Sequence, residues 1–460
     1  MSVSVKRKAR STTGQRSTPV VSVARRAAFE ILRRVEEEGA FASVLLAATD
    51  EEMRTDDRAL CYELVLGVLR WQLWLDRLIV HYSKRKAEGM DVPVRVALRL
   101  GLYQLRLLTR IPASAVVNES VNLAHVARVR SAAGLINAVL RRATRETDYD
   151  PLTTIDDPIE RLSVAASHPQ WLIARWVEAF GMEWVEAFAL ANNVAPPVAF
   201  RLTGGQEEDA RLTLDELQAV NARVVPSNIA PEAWRVEGGG AVLRRLAVEG
   251  RVYLQDEASQ LVSHVLDAQP DERVLDMCAA PGSKTTHIAA RTGDRALVVA
   301  CDIHEHRLRT VIEAGTRARL KSIRAVTLDA TSALPFAEES FDRVLVDAPC
   351  SGTGTLKRNP EIRWRLRASD IFELAAQQQR LLTQAAAMVR RGGRLVYSTC
   401  SVEPEENEAI VAKFLREQTS FVQIVATAPA SLLAASGAAR TWPHRDGADG
   451  FFVAAFERRQ

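Results

Sequence analysis

Apolar residues recur at helical spacing through residues 20–147. Ala27, Ile31 and Val35 fall on one face, as do Leu60, Leu64 and Val68. Further helices are predicted at about 92–109, 114–128 and 132–145, punctuated by Pro112 and Gly134, with no alternating strand pattern between them. This first part reads as a small all-α domain. Tyr149-Asp150-Pro151 and Asp156-Asp157-Pro158 read as a linker. Beyond it, helices at about 170–180 and 183–193 precede short strands at 198–202, 223–227 and 233–237, with a helix at 212–222, so that residues 155–250 form a small α+β domain. The spacing of Trp171, Trp176 and Trp184 suits a buried helix face better than a base-stacking platform. From residue 251 to 460 the pattern changes again. Apolar runs at 273–277, 296–301, 323–328, 342–347, 393–399 and 451–457 alternate with helical segments at 256–268, 283–291, 305–316 and 370–390. That order predicts a doubly wound α/β domain with a parallel sheet and helices on both faces.

Composition narrows the classes. A chain of 460 residues exceeds one ordinary core, and 47% hydrophobic with 25% charged residues is ordinary for a soluble protein. No run of eighteen apolar residues predicts a membrane span, and the basic N-terminus lacks the apolar stretch of a secretory signal. Five cysteines spread over the chain do not make a disulfide framework, which favours reduced thiols and a cytoplasmic location. The net charge of +3 conceals an asymmetry: residues 1–150 hold 25 Lys/Arg against 17 Asp/Glu, and the rest 35 against 40. The N-terminal part therefore faces a polyanion, or is a solvated helical surface. Residues 1–19, with Lys6-Arg7-Lys8-Ala9-Arg10, read as a basic disordered arm, either touching phosphates or solubilising.

The chemistry gathers where predicted strands end. In a parallel α/β sheet, ligands bind outside the carboxyl ends of the strands. Those ends carry Asp276, Asp302, Asp329, Asp347 and Cys400. Any one of these carboxylates has a plain explanation as a cap or turn residue; five consecutive strand ends do not. The first loop, Cys278-Ala279-Ala280-Pro281-Gly282-Ser283-Lys284, turns tightly into a helix, and Gly282 would let backbone approach a ligand at the helix N-terminus. Lys284-Thr285 invites a P-loop reading, but Ser283 and Cys278 stand where that pattern needs glycines, and no GxGxxG follows the first strand. Asp302 has the position that holds ribose hydroxyls in nucleoside-cofactor folds. These features fit S-adenosylmethionine better than NAD or ATP. His304 and His306 do not make a metal pair, because alternate residues on a helix point apart. Cys61 and Cys301 have apolar neighbours and read as core thiols. Cys350 and Cys400 differ: each ends a strand among small and hydroxyl residues, in Asp347-Ala348-Pro349-Cys350-Ser351-Gly352 and Ser398-Thr399-Cys400-Ser401.

Together these motifs resemble the RNA cytosine-5 methyltransferases of the Sun (Fmu, RsmB) family. The likeness is strong over 251–458. Over 20–147 the helical part is similar to the NusB-like RNA-binding domain, in Arg95-Val96-Ala97-Leu98-Arg99-Leu100-Gly101-Leu102-Tyr103-Gln104-Leu105 and Gly134-Leu135-Ile136-Asn137-Ala138-Val139-Leu140-Arg141-Arg142. The intervening α+β part looks like a ferredoxin-like domain. The resemblance implies a monomer acting on 16S rRNA, as naked RNA or an assembly intermediate, and forming 5-methylcytosine at position 967; the same chemistry on tRNA, and a non-catalytic RNA-binding regulator, are the alternatives. It implies that Cys278 to Lys284, Asp302, Asp329 and Asp347 line the S-adenosylmethionine pocket, with Asp302 on the ribose and Asp329 near the adenine. It further implies Cys400 as nucleophile on cytosine C6, Cys350 assisting product release, and Asp347 at the base's N3/N4 edge, oriented by Lys284. Ser283 replaces a frequent glycine of the family loop. Arg358-Asn359-Pro360-Glu361-Ile362-Arg363-Trp364 matches a family loop, read either as closing over a flipped base with Arg363 on phosphate or as structural, with one packed Trp. Arg141, Arg142 and Arg145 either bind phosphate or favour the helix dipole. Asp449-Gly450-Phe451-Phe452 reads as a turn into the last strand.

Overall fold

The computed structural model describes residues 21–49, 53–203 and 207–460. The expected basic arm at 1–19 lies outside the described residues. The chain forms two compact units, the second taking residues from 151 onward together with 41–43 and 69–74.

The first unit is helical, as the periodicity predicts: α1 (Val23–Glu37), α2 (Ala42–Thr49), α3 (Thr55–Arg70), α4 (Gln72–Ser83), α5 (Val92–Leu107), α6 (Ala113–Val126) and α7 (Ala133–Arg145). Ile31, Val35, Leu64, Val68, Leu100 and Leu140 are buried; Ala27, Leu60 and Leu105 are half-buried. Helix α5 meets α7 at Gly101, where a Cβ would come within 2.7 Å of both Leu140 methyls, so the glycine permits the close approach. Arg99 is buried in a fork on Asp76, with both bonds 2.7 Å long. Arg141 donates to Asn137, and Arg142 to Glu146 and to the carbonyls of His81 and Tyr82, leaving Arg145 exposed at the helix end.

The expected linker is shorter than its prolines suggest. Asp156-Asp157-Pro158 opens a helix, α8 (Pro158–Ala166): the Asp157 carboxylate accepts the Glu160 N–H at 2.7 Å and Pro158 occupies the first turn. Helices α9 (Gln170–Phe180) and α10 (Met182–Ala191) follow, packed around fully buried Trp176, with Trp171 and Trp184 partly buried beside it. Next comes a four-stranded antiparallel sheet of β1 (Val198–Leu202), β2 (Arg223–Pro226), β3 (Ala233–Glu237) and β4 (Val252–Leu254), in the order β2-β3-β1-β4. Its helices are α11 (Glu207–Ala219), which begins before the predicted 212, and α12 (Gly240–Val248). β4 carries the small sheet past residue 250, where the α+β part was expected to end.

The large sheet has the order β10-β12-β9-β8-β5-β6-β7. Its strands are β5 (Arg273–Asp276), β6 (Leu297–Asp302), β7 (Ile323–Thr327), β8 (Phe341–Asp347), β9 (Val389–Thr399), β10 (Phe421–Ile424), β11 (Ala439–Arg440) and β12 (Phe452–Arg458). β5 to β9 are parallel, but β12 lies antiparallel between β9 and β10, so the sheet is not parallel throughout as expected. Helices α13 (Glu257–Leu266), α14 (Ser283–Arg291), α15 (Glu305–Arg317), α16 (Ile362–Arg365), α17 (Ala368–Met388), α18 (Glu408–Glu417) and α19 (Pro443–Asp446) complete the unit. Successive side chains of β8 serve different cores: Val344 and Val346 pack with Leu381 and Leu382 of α17, whereas Leu345 packs with Leu261 of α13 and Ile288 of α14. Burial on both faces is why these strands are continuously apolar. From β5 the chain runs outward through β6 and β7, then returns to β8 on the other side of β5. The switch in direction opens a crevice at the carboxyl ends.

Candidate active site

Sheet order puts the predicted strand-end residues in one row: Cys400, Asp347, Asp276, Asp302 and Asp329. A cavity of about 250 Å³ lies along it, bordered among others by Cys278, Asp302, Asp329, Asp347, Cys350 and Cys400. Asp276 is the exception. It is buried below the row and accepts a 2.7 Å bond from Thr285 Oγ1, tying strand β5 to α14; burial pushes its carboxyl up to about 7.

The loop from Cys278 to Lys284 contributes unevenly. Cys278 and Ala280 border the cavity, while Ala279 is buried and donates its N–H to the Cys301 carbonyl at 2.8 Å. Pro281 is exposed and Ser283 half-buried. Gly282 has φ +100°, and a Cβ there would sit 2.9 Å from Val311 Cα. The glycine is therefore required by the packing of the loop on α15, where the sequence suggested close approach to a ligand. Burial raises the Cys278 thiol well above its ordinary range. Cys61 and Cys301 are buried, as expected.

Asp302 is nearly buried. Its Oδ1 accepts the His304 N–H at 3.0 Å, and the half-exposed Arg307 guanidinium stands 3.4 Å from Oδ2. Asp329 is exposed two residues beyond β7. The Thr331 hydroxyl (2.7 Å) and N–H (2.9 Å) both donate to it and hold its carboxyl below the usual range. Asp347 is fixed from two sides, accepting from Ser398 Oγ at 2.8 Å and from Lys284 Nζ at 2.7 Å. Lys284 is buried, with Nζ 5.2 Å from the centre of the Phe451 ring. Burial opposes its charge, but Asp347 outweighs burial and the ammonium pKa is raised.

Cys350 and Cys400 lie with their sulfurs 3.3 Å apart, both half-buried. The hydrogen bond with Cys400 raises the Cys350 thiol well above its ordinary range, with burial and the charge of Glu406 adding to the shift. Behind the thiols lies a hydroxyl–carboxylate network that the sequence reading missed: Ser351, Thr353, Ser401 and buried Glu406. Small and hydroxyl residues flanking each cysteine were its visible signal; Glu406 itself sits in an acidic run that reads as solvated. Gly354 supports Cys400 from below, donating its N–H to the Cys400 carbonyl at 2.9 Å, while the Gly450 N–H bonds the Gly354 carbonyl at 2.8 Å.

The loop at 358–364 is structural. Arg363 is fully buried and donates to the Ser167 carbonyl (3.1 Å) and Asn193 Oδ1 (2.9 Å), so it is not placed to meet phosphate. Burial lowers its pKa to about 9, with the Arg70 charge acting in the same direction and the Glu361 carboxylate opposing it. Arg358 pairs with Asp256 (2.8 Å) and Asp449 (2.9 Å), and Trp364 Nε1 donates to the Leu69 carbonyl. Asp449 and Gly450 thereby anchor loops as well as leading into β12. His304 and His306 are exposed at the start of α15. Glu232, His264 and His287 come together elsewhere, but the Arg291 guanidinium already bridges Glu232 and His264 at 3.3 and 3.4 Å, filling the place of a cation.

Three family profiles match the chain: 16S rRNA methyltransferase RsmB/F over residues 263–457, the NusB family over 22–145, and the RsmF/B-like ferredoxin-like domain over 168–243. The "Probable ribosomal RNA small subunit methyltransferase B" of Bacillus subtilis is 33% identical over 440 residues, 94% of this chain and 98% of that protein. The ribosomal RNA small subunit methyltransferase B of Yersinia enterocolitica is 34% identical over 440 residues, with the same two coverages of 94% and 98%. Among solved structures, PH0851 superposes with a TM-score of 0.81 at 28% identity, over 95% of this chain and 98% of that one. NSun6 from Pyrococcus horikoshii with SFG shares the fold over 64% of this chain and 98% of its own, at a TM-score of 0.56 and 20% identity. With this identity sustained along nearly the whole length, and a crevice of nucleoside-cofactor type at its centre, the chain belongs to the RsmB/F family of S-adenosylmethionine-dependent rRNA methyltransferases.

Proposed function

We propose that the protein forms 5-methylcytosine at position 967 of 16S rRNA through a covalent adduct between Cys400 and C6 of the target base. The observation that carries this reading is the pair of sulfurs 3.3 Å apart on the same cavity as the Asp347–Lys284 ion pair. Cytosine C5 is too weak a nucleophile to take a methyl group unaided. Addition of the Cys400 thiolate to C6 moves electron density toward N3 and makes C5 enamine-like. Asp347, oriented by Lys284 and Ser398, meets the base at its N3/N4 edge. C5 then takes the methyl group. Loss of the C5 proton returns the electron pair that re-forms the C5–C6 double bond and expels the Cys400 thiolate, and Cys350, whose sulfur lies 3.3 Å away, assists that release.

The cavity fits the cofactor. The Asp302 carboxylate stands where ribose hydroxyls are held, and Ile303, Leu328 and Ala330 give an apolar wall beside Asp329 for the adenine. Cys278 and Ala280, with Asp347, complete the binding side, and the rest of the loop to Lys284 holds them in place. S-adenosylmethionine supplies an electrophilic methyl group at this site. Asp302→Ala removes charge-assisted hydrogen bonds worth ~1.5–3 kcal/mol and should weaken S-adenosylmethionine binding accordingly. Calorimetry on the folded variant measures it; unchanged affinity would remove Asp302 from the site.

Residues 20–147 form the NusB-like RNA-binding domain in this reading, 155–250 the small α+β domain and 251–460 the catalytic domain. The protein acts as a cytoplasmic monomer on naked rRNA or an assembly intermediate. Among the described residues no helix is long and apolar enough to cross a membrane. Bisulfite sequencing of rRNA and tRNA, from a deletion strain and from that strain carrying the gene, tests the target. The proposal expects position 967 to lose protection on deletion and regain it on complementation. Loss confined to a tRNA would transfer the same chemistry to another substrate.

A further inference from the structure

One buried carboxylate stands behind both thiols without bordering the cavity. Glu406 is fully buried in the turn between β9 and α18. Its Oε1 accepts from the Ser351 N–H at 2.9 Å and from Gln378 Nε2 at 2.9 Å. Its Oε2 accepts from the hydroxyls of Ser351 and Ser401. Ser351 directly follows Cys350, and Ser401 directly follows Cys400. The clamp is itself anchored. Tyr397 donates its hydroxyl to the Glu406 carbonyl at 2.6 Å, and Gln378 also donates to the Pro349 carbonyl at 2.9 Å, on the other side of Cys350. Four donors on one buried carboxylate satisfy it fully, and a fully satisfied network of this kind fixes one geometry.

We propose that Glu406 is a positioning residue whose carboxylate, bound to the residue after each thiol, sets the distance between Cys350 and Cys400. Its effect on turnover rests on the thiol roles proposed above; its effect on thiol spacing does not. Through spacing it decides whether Cys350 can reach the sulfur it is to help expel. Hydrogen bonding, and not charge, is the operative property. In Glu406→Gln the amide oxygen keeps the Ser351 N–H and Gln378, while the NH₂ turns to the two serine hydroxyls, which rotate to accept. Glu406→Ala breaks all four bonds.

The test measures spacing and turnover together. Dibromobimane becomes fluorescent when both arms have alkylated thiols, and Cys350→Ala and Cys400→Ala supply its background. Glu406→Ala should bridge the pair about tenfold more slowly and lose about 100-fold in kcat, the scale of a misplacement near 1 Å. KM for S-adenosylmethionine and for RNA should hold, because Glu406 does not border the cavity. Glu406→Gln should retain both bridging and kcat near the parent values. Parental bridging in Glu406→Ala, or bridging in Glu406→Gln as slow as in Glu406→Ala, overturns the proposal. Should Glu406→Ala fail to fold by circular dichroism, Ser351→Ala/Ser401→Ala, which removes the two hydroxyl donors, is held to the same criterion of slowed bridging. Slowed bridging with unchanged kcat would keep the clamp and overturn the thiol roles.

Discussion

Cys400→Ala is expected to abolish methyl transfer, with a loss on the order of 10⁶-fold in kcat, the scale seen when a covalent nucleophile is removed. The size follows from the proposed route. Without addition at C6 the C5 carbon is not enamine-like, and binding both substrates side by side does not replace that activation. The parent alanine change is small, and Cys400 is half-buried at a cavity edge, so melting temperature and S-adenosylmethionine affinity should change little. Single-turnover transfer of a labelled methyl group measures the loss. Residual transfer near the parent rate would mean that the nucleophile lies elsewhere. Cys350→Ala should keep the first turnover and slow those that follow.

Gly354→Ala should be nearly as damaging to activity, by a different cause. A Cβ at Gly354 would fall on the Gly450 carbonyl and within 2.8 Å of the Cys400 carbonyl, so only backbone could move to admit it. Overpacking of this kind costs ~1–3 kcal/mol. The strain is applied at the carbonyl of the proposed nucleophile and at the turn into β12. A lowered melting temperature and a large fall in kcat are expected. Gly134→Ala is the control, since a Cβ there meets nothing within 4 Å and the residue lies inside α7 at negative φ. It should leave activity unchanged and add up to ~1 kcal/mol of stability. Equal effects of the two substitutions would show that the contact beneath Cys400 does not matter.

Much of the catalytic unit was legible because its central strands are buried on both faces and so read as apolar runs, each ending at or near a chemically capable residue; only β7, at the sheet edge, is largely exposed. Asp302, Asp329, Asp347, Cys350 and Cys400 were found that way, and the structure brings all five to one cavity. What could not be read depends on which contacts form, in most cases with distant neighbours. Asp157-Pro158 serves equally as a linker or as a cap with proline in the first turn, and only the bond to the Glu160 N–H decides between them. The antiparallel insertion of β12 between β9 and β10 is a pairing across sequence, with no local signature. The loop with Arg363 reads either as closing on phosphate or as structural, because guanidinium groups are seldom buried; the partners that decide it, Ser167 and Asn193, are 196 and 170 residues away. Glu406 was hidden for the same reason, as one of four glutamates between residues 403 and 408.

The central claim is that Cys400 attacks and Cys350 releases, and covalent trapping tests it most directly. Each variant is incubated with 16S rRNA and S-adenosylmethionine, denatured, and run on a gel that resolves RNA–protein adducts. Without the thiol that assists release, Cys350→Ala should methylate and remain attached, whereas Cys400→Ala should give neither methylation nor adduct. An adduct in Cys400→Ala and none in Cys350→Ala would reverse the roles; methylation intact in both variants, with no adduct in either, would contradict the thiol mechanism.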